Sequence, residues 1–217
     1  MHNWLVKKAV NRKEFQIYSF NRRPQNSPLK PSIYALCDYE LLTKHNTTLE
    51  QYLQICKQHH VKIIQYRDKI NNLDIQKENL KYLKNNCNLP IIINDKIDLI
   101  AYADGLHIGQ EDLDSYVKNN RVLSLKLIRK KIGDKILGLS THDEIEILEA
   151  NNFDIDYIGL GAYKTTTTKD VQNQLGDKLP YLAKISKHPV CAIGGVKLSD
   201  IIDNTSYNVI GSGLFTH

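Results

Sequence analysis

The chain has no long apolar runs and no paired cysteines. None of its 217 residues belongs to an apolar stretch approaching the ~20 residues that span a bilayer, and the first residues lack the apolar segment of a secretory signal. Cys37 and Cys191 lie in apolar runs, where a free thiol packs as a small hydrophobic group. We therefore expect a protein of a reducing, cytoplasmic compartment, neither disulfide-built nor membrane-bound.

Acidic residues are nearly missing from the first 30 positions. Seven basic residues stand there against Glu14 alone, a net charge of +6, whereas the whole chain carries +5, so the remainder carries about −1. The basic character thus belongs to an N-terminal extension, residues 1–31. Because a nucleic-acid surface needs a basic face on the fold itself, we expect small-molecule partners and no nucleic acid. The sequence leaves a homo-oligomer possible.

Strand and helix signals alternate eight times after the extension, without an internal repeat or a second domain. Helical patterns include apolar stripes at Leu123, Leu127, Ile128 and Ile132, at Ile145, Leu148 and Ala150, and over 198–202. This alternation predicts right-handed βα units and a parallel sheet. Eight units predict an α/β fold, a TIM (β/α)₈ barrel, as one domain over 32–217. The predicted strands are 33–37, 61–66, 90–94, 105–109, 136–140, 156–161, 190–194 and 208–212.

Clusters of polar residues follow six of these strands, the second to the seventh, and in such a barrel all carboxyl ends lie on one face, where active sites are built. The cluster from Gln65 to Lys69, which includes Tyr66 and Asp68, follows the second strand. Gln65, Arg67 and Lys69 project on the same side of an extended segment. The side-chain amide of Gln65, the planar guanidinium of Arg67 and the ammonium of Lys69 can together donate hydrogen bonds to the oxygens of a diphosphate.

Two carboxylates end consecutive strands, Asp95 after the third and Asp112 after the fourth. Neighbouring strands lie about 4.8 Å apart, so both side chains can reach one hard cation. Oxygen ligands without a nearby His/Cys pair indicate Mg²⁺ rather than zinc. The alternative is that either residue merely caps the helix that follows it.

Hydroxyl and glycine clusters follow the later strands. The run Thr165–Thr168, with Lys169, offers donors in a loop, although a threonine run can also be ordinary loop. Gly194-Gly195 and Gly211-Ser212-Gly213 follow the seventh and eighth strands, whose loops bind phosphate monoesters in many barrels. His107 lies within a strand, where a hydrogen-bonded structural histidine is the default interpretation.

Several motifs occur together in one order, and as a set they resemble the thiamine phosphate synthase family over about residues 33–215. The most specific are the segments 104–112 (Asp-Gly-Leu-His-Ile-Gly-Gln-Glu-Asp) and 166–169 (Thr-Thr-Thr-Lys). The others are Gln65-x-Arg67-x-Lys69, Ile93-Asn94-Asp95, Gly138-Leu139-Ser140-x-His142 and Ala192-Ile193-Gly194-Gly195-Val196.

The resemblance implies an Mg²⁺-dependent transferase that joins a hydroxymethylpyrimidine diphosphate to a thiazole phosphate. It implies catalytic roles for Arg67, Lys69, Ser140 and Lys169, and metal ligation by Asp95 and Asp112. It implies substrate binding by Gln65, Tyr66, Asp68, Asn94, His107, Thr166, Thr167, Thr168, Gly195, Gly211 and Ser212.

The sequence departs from the family pattern in one loop and at its end. The family usually has two prolines before its Thr-x-Thr-Lys segment, whereas this chain has Gly-Ala-Tyr-Lys-Thr at 161–165. We expect a looser loop, with Lys164 adding a charge near the substrates. The ending Ser-Gly-Leu-Phe at 212–215 is closer to the TenI-like thiazole tautomerases. A tautomerase of that kind, or a non-catalytic phosphate-binding sensor, are therefore the alternative functions.

Overall fold

The computed structural model describes Arg12 and residues 31–165 and 174–215. Most of the extension and four predicted site residues, Thr166, Thr167, Thr168 and Lys169, lie outside these ranges. The described strands are β1 (Ser32–Asp38), β2 (Ile63–Arg67), β3 (Ile91–Asn94), β4 (Gly105–Ile108), β5 (Ile136–Thr141), β6 (Tyr157–Leu160), β7 (Val190–Ala192) and β8 (Tyr207–Ile210).

Helices connect most of these strands, and a 3₁₀ helix makes the connection from β3 to β4. Asp38 caps the first helix by accepting from the N–H groups of Glu40 and Leu41, and Thr48 forms a capping box with Gln51. The α-helices are α1 (Tyr39–Lys44), α2 (Leu49–Gln58), α3 (Leu73–Asn86), α4 (Gln110–Tyr116), α5 (Arg121–Ile132), α6 (Glu144–Ala150) and α7 (Leu179–Ile185); the 3₁₀ helices are Ile97–Tyr102, Gly176–Lys178 and Ser212–Leu214.

The eight strands pair in chain order, all parallel, and β8 pairs with β1 to close the barrel. This confirms the predicted TIM barrel. Residues on each strand alternate between the interior and the layer beneath the helices. The interior is filled by large side chains that include Tyr34, Ile63, Ile92, Ile136 and Tyr157.

The apolar helix stripes were predicted correctly only in part. In α6 Ala150 is buried as predicted, but Ile147 is buried in place of Ile145, which is 77% exposed. In α5 Ile128 and Ile132 are buried as predicted, whereas Leu127 is exposed. Both helices carry more apolar residues than one face can bury, so spacing alone did not select the buried face.

No helix forms over 198–202, where one was predicted. A turn replaces it: the side chain of Asp200 accepts from the backbone N–H of Lys197 (2.8 Å), and Asn208 donates to the Asp200 carbonyl (2.8 Å). An acidic side chain that bonds its own neighbourhood competes with helix formation.

The base of the barrel, opposite the carboxyl ends, carries a buried ion cluster. Asp156 precedes β6 with a fully buried side chain, which accepts from Arg129 (2.8 Å), from the backbone N–H of Leu137 (2.9 Å) and from Arg12. The backbone N–H of Arg12 also donates to the carbonyl of Asp134 (3.0 Å). This part of the extension therefore contacts the barrel at the end away from the predicted site.

The remaining expectations from composition concern thiols and membrane spans. No disulfide bond joins any of the four cysteines, and Cys37 and Cys191 are buried. Among the described helices, none has the length and apolar character needed to cross a bilayer.

Candidate active site

Four polar side chains form a row inside the barrel above its apolar filling. Gln65, Asn94, His107 and Ser140 come from the four consecutive strands β2 to β5. Cross-strand register places Asn94 directly beside His107. Gln65, Asn94 and Ser140 were predicted from their positions at the carboxyl ends of strands. His107 lies within its strand, and its site role was predicted only from the family resemblance.

Hydrogen bonds join the first half of this row to the predicted metal ligands. The Gln65 amide Nε2 donates to Asn94 Oδ1 (2.6 Å), and Asn94 Nδ2 donates to Asp95 Oδ2. Asp95 itself has a left-handed backbone, with φ of 59°, a conformation that aspartate tolerates better than most residues. Its backbone N–H donates to the carbonyl of His107 (2.9 Å), which fixes this turn against β4.

Asp112 lies close enough to Asp95 to affect the ionisation of Asp95. Burial, followed by the neighbouring charge of Asp112, raises the pKa of Asp95 to about 6, while Arg67 and Lys69 act in the opposite direction. Asp112 also accepts from the N–H of Gly109 (3.2 Å) at the start of α4. Asp112 is therefore both a helix cap and a neighbour of Asp95, so the two sequence interpretations of this residue are compatible.

Arg67 is held by a carboxylate that sequence reasoning missed. Its guanidinium pairs with Asp38, which lies opposite it at the end of β1 and is almost fully buried. Asp38 keeps its other oxygen on the first N–H groups of α1. The arginine is thus oriented by a rigid partner. Asp38 could have been predicted as a site residue, because it is an aspartate at the end of the first strand.

The His107 ring lies between two hydroxyl groups, those of Tyr157 and Ser140. Its Nδ1 lies 3.0 Å from the hydroxyl of Tyr157, and its Nε2 lies 3.0 Å from Ser140 Oγ. Burial lowers the pKa of His107 to about 4, so the ring is neutral at neutral pH. Gln110 donates to the carbonyl of Ser140 (2.6 Å) and braces the end of β5.

Two glycines make room for this imidazole. A Cβ on Gly138 would lie 2.1 Å from the ring of Tyr157 and 2.6 Å from Nδ1 of His107. A Cβ on Gly159 would lie 3.1 Å from Cε1 of His107. The glycines of β5 and β6 are therefore required by the ring that packs against them.

Two predicted substrate-binding residues point away from this row. Tyr66 is buried in the layer under the helices, where its hydroxyl donates to Asp68 (2.6 Å) and accepts from Asn79 (2.8 Å) of α3. Asp68 accepts from the N–H groups of Ile70 (3.1 Å) and Asn71 (2.9 Å). The structure therefore corrects their prediction: both side chains shape the loop after β2, because residues on a strand alternate in direction.

A separate cavity of about 110 Å³ opens beside the loops after β7 and β8. Gly194 and Gly195 have φ of 85° and 65°, and a Cβ on Gly195 would lie 2.4 Å from the carbonyl oxygen of Thr165. Only glycine suits both demands. The residues lining the cavity include Thr165, Gly194, Gly195, Gly211, Ser212 and Gly213.

The start of the loop after β6 is tied to β7. The N–H groups of Tyr163 and Lys164 donate to the carbonyls of Ile193 (2.8 Å) and Gly194 (2.9 Å). Lys164 Nζ lies 3.3 Å from Asp200. Its charge is therefore engaged by a carboxylate on the loop after β7, and the described part of this loop, to Thr165, is anchored rather than loosened.

Comparisons with known proteins agree with this geometry. The family model described as thiamine monophosphate synthase matches residues 33–211. The chain belongs to this family. A thiamine-phosphate synthase from Persephonella marina is 35% identical over 181 residues, covering 79% of this chain and 80% of the relative. One from Clostridium botulinum is 35% identical over 187 residues, covering 83% and 82%.

Solved structures support the fold. A thiamine phosphate pyrophosphorylase from Pyrococcus furiosus superposes with a TM-score of 0.64 at 20% identity, covering 85% of this chain and 87% of that one. The family membership assigns the chain to transferases of thiamine biosynthesis. Within the family framework, the structure adds Tyr34, Asp38 and Tyr157, which were not among the predicted site residues.

Proposed function

We propose that this chain condenses 4-amino-5-hydroxymethyl-2-methylpyrimidine diphosphate with hydroxyethylthiazole phosphate to give thiamine phosphate and diphosphate. One observation carries the proposal: a single face of the barrel holds two separate groups of residues suited to binding phosphate groups. One is the cluster of Arg67, Lys69 and paired carboxylates, and the other is the glycine-lined cavity after β7 and β8. Two phosphorylated substrates need two such sites side by side.

The diphosphate belongs at the first site. Arg67, oriented by Asp38, offers a planar pair of donors, and the exposed Lys69 adds a mobile cation. Lys169, outside the described residues, is assigned to the same group by the family motif. Gln65 and Asn94 supply amide groups that fix the pyrimidine ring in the barrel mouth.

Asp95 and Asp112 fit a Mg²⁺ ion. Two partly buried carboxylates this close have an unfavourable charge excess, which contributes to the raised pKa of Asp95, and a divalent cation offsets it. Among the described residues no third His, Cys, Asp or Glu joins them, which suits Mg²⁺ because it binds through one or two carboxylates, waters and substrate phosphates. When bound, the ion would neutralise charge on the departing diphosphate.

The thiazole phosphate belongs at the cavity. Backbone N–H groups around Gly194, Gly195, Gly211 and Ser212 can approach a phosphate closely, because glycine leaves the space open. The threonines at 166–168 carry the family's thiazole contacts, and Thr165 already borders the cavity.

The chemistry follows from placing these sites together. The bond between the pyrimidine methylene carbon and the diphosphate oxygen breaks, and the diphosphate leaves with both electrons. The lone pair of the thiazole nitrogen then forms the new C–N bond. The residues contribute by holding the two partners in line and stabilising the leaving charge, and no nucleophilic side chain is required.

A two-substrate assay tests the proposal. Purified protein with both substrates and Mg²⁺ should form thiamine phosphate, and EDTA should abolish the product. Asp95→Asn should lose most turnover while remaining folded. The matched control is Asp98→Asn, an exposed aspartate paired with Lys131 on the outer surface, which should keep full activity.

Two results would change the assignment. Full turnover in EDTA, or in Asp95→Asn, would refute the metal role. Absence of product together with binding of thiazole phosphate would favour the tautomerase or the sensor. Lys169→Ala should also lower the rate, and an unaffected rate would show that the Thr-x-Thr-Lys motif has another role here.

A further inference from the structure

A continuous chain of hydrogen bonds crosses the interior of the barrel. It runs from Ser140 to His107, then through the hydroxyls of Tyr157 and Tyr34, which lie 2.9 Å apart. Tyr34 donates to Gln65 Oε1 (3.0 Å). From Gln65 the chain continues through Asn94 to Asp95, as described above.

The orientation of the two side-chain amides sets the direction of every bond in this chain. Asn94 presents its NH₂ group to Asp95 and its carbonyl oxygen to Gln65. Gln65 then presents its own NH₂ to Asn94, which leaves its carbonyl oxygen to accept from Tyr34. Because Tyr34 has given its single proton to Gln65, the bond between the tyrosines must be donated by Tyr157.

The same logic fixes the proton on His107. Tyr157 has donated to Tyr34, so it can only accept from Nδ1 of His107, and that nitrogen must carry the proton. The neutral ring then has a bare Nε2, which accepts from the hydroxyl of Ser140. The Ser140 oxygen is left with lone pairs and no proton to offer.

We propose that Tyr34 and Tyr157 are positioning residues of the active site: they hold His107 in the Nδ1–H tautomer and thereby make Ser140 a hydrogen-bond acceptor for the substrate. This rests on the proposed function, in which the substrate is an aminopyrimidine. As the diphosphate leaves, the ring draws electrons from its amino group, and those N–H groups become better donors. An acceptor placed there gains strength in the transition state.

The direction of these hydrogen bonds makes a prediction that would not follow if Tyr34 and Tyr157 only filled space in the core. In Tyr34→Phe, Tyr157 loses its acceptor and can donate to His107 instead. The proton should then move to Nε2, although Tyr34 does not contact His107 through any described hydrogen bond. In Tyr157→Phe the Nδ1–H loses its acceptor directly, and the tautomer preference should also fall.

The first test is ¹⁵N NMR of imidazole-labelled protein in neutral buffer without substrates. Protonated and bare imidazole nitrogens have well separated shifts, and the His107 signals are assigned by their loss in His107→Gln. Wild type should show Nδ1–H, and Tyr34→Phe should show Nε2–H. Tyr52→Phe, a buried tyrosine of α2 outside the chain, should match wild type. A wild-type Nε2–H or cationic ring, or an unchanged tautomer in Tyr34→Phe, overturns the proposal.

The second test is kinetic. Tyr34→Phe should lower kcat roughly 3- to 10-fold, the value of one hydrogen bond, with little change in either KM. The effect should disappear in a Ser140→Ala background, because Ser140 is the point of action. An equal loss in both backgrounds would refute positioning through Ser140. If wild type makes no thiamine phosphate, the proposed function fails, while the NMR result still decides the tautomer.

Discussion

Alanine in place of Gly138 should damage the site far more than alanine in place of Gly159, although both glycines face the His107 ring. At position 138 the new Cβ would lie 2.1 Å from Cζ of Tyr157, where ordinary contact begins at 3.4 Å, so the end of that ring must move about 1.3 Å. The hydrogen bond of 3.0 Å between Tyr157 and His107 cannot survive such a shift unchanged.

The expected magnitudes follow from these distances. Overpacking costs about 1–3 kcal/mol and loss of the hydrogen bond about 1 kcal/mol, while Gly→Ala recovers up to about 1 kcal/mol by restricting the unfolded chain. Gly138→Ala should therefore lose about 1–3 kcal/mol of unfolding free energy. At position 159 the nearest atom lies 3.1 Å away and need move only a few tenths of an ångström. The net change there should lie within about 0.5 kcal/mol of zero.

Equilibrium urea unfolding followed by circular dichroism measures both changes, and kcat gives a second readout. Gly138→Ala should lose turnover as well as stability, because His107 and Ser140 are displaced with Tyr157. Equal losses in the two variants, or a larger loss in Gly159→Ala, would show that the packing of His107 is not as described.

Three further outcomes are expected. Asp38→Asn should lower kcat/KM about tenfold, because Arg67 loses the charge that orients it; steady-state kinetics check this. Arg12→Ala should reduce the unfolding free energy by about 1–2 kcal/mol through Asp156, with unchanged kcat, since the contact lies at the opposite face. Folding raises the pKa of Asp95 to about 6, so the stability contributed by its protonated form is lost as the pH rises through about 6. Urea unfolding at several pH values should therefore show an unfolding free energy that falls with rising pH in this range. Asp95→Asn should lack this dependence.

The barrel was predictable because its strands are buried on both sides. Such strands are near-continuous apolar runs, and runs such as Ile91-Ile92-Ile93 stand out in any sequence. Helix faces were less predictable. In α6 apolar residues occupy 145, 147, 148 and 150, so two different stripes fit the spacing, and only the packing against β5 and α7 selects Ile147 and Ala150.

The site was predictable where a residue lies at the end of its own strand and faces inward. Gln65, Asn94 and Ser140 met both conditions. Tyr66 met only the first, and its direction follows from strand alternation once one neighbour is known to face inward. Lys164 was placed near the substrates, but Asp200, 36 residues later, engages it.

The tyrosines could not be found in this way, because their importance lies in partners on distant strands. Tyr34 and Tyr157 are 123 residues apart and meet only when the barrel closes. Each is an ordinary aromatic residue on a strand, and a buried tyrosine hydroxyl needs a partner that sequence spacing does not reveal. Asp38 is a similar case, since its partner Arg67 lies on the next strand.

A polar chain inside a barrel core is stable only if every member is satisfied, because each unpaired buried group costs about 1–3 kcal/mol. Asp95 ends the chain, where it accepts from the amide of Asn94 and thereby holds the orientation of that amide. Asn94 engages one of its carboxylate oxygens, Oδ2, and a carboxylate accepts through both oxygens. A cation and the chain can therefore use the same residue at once. It follows that replacing Asp95 should disturb two things separately: the affinity for Mg²⁺, and the tautomer of His107 measured without any metal.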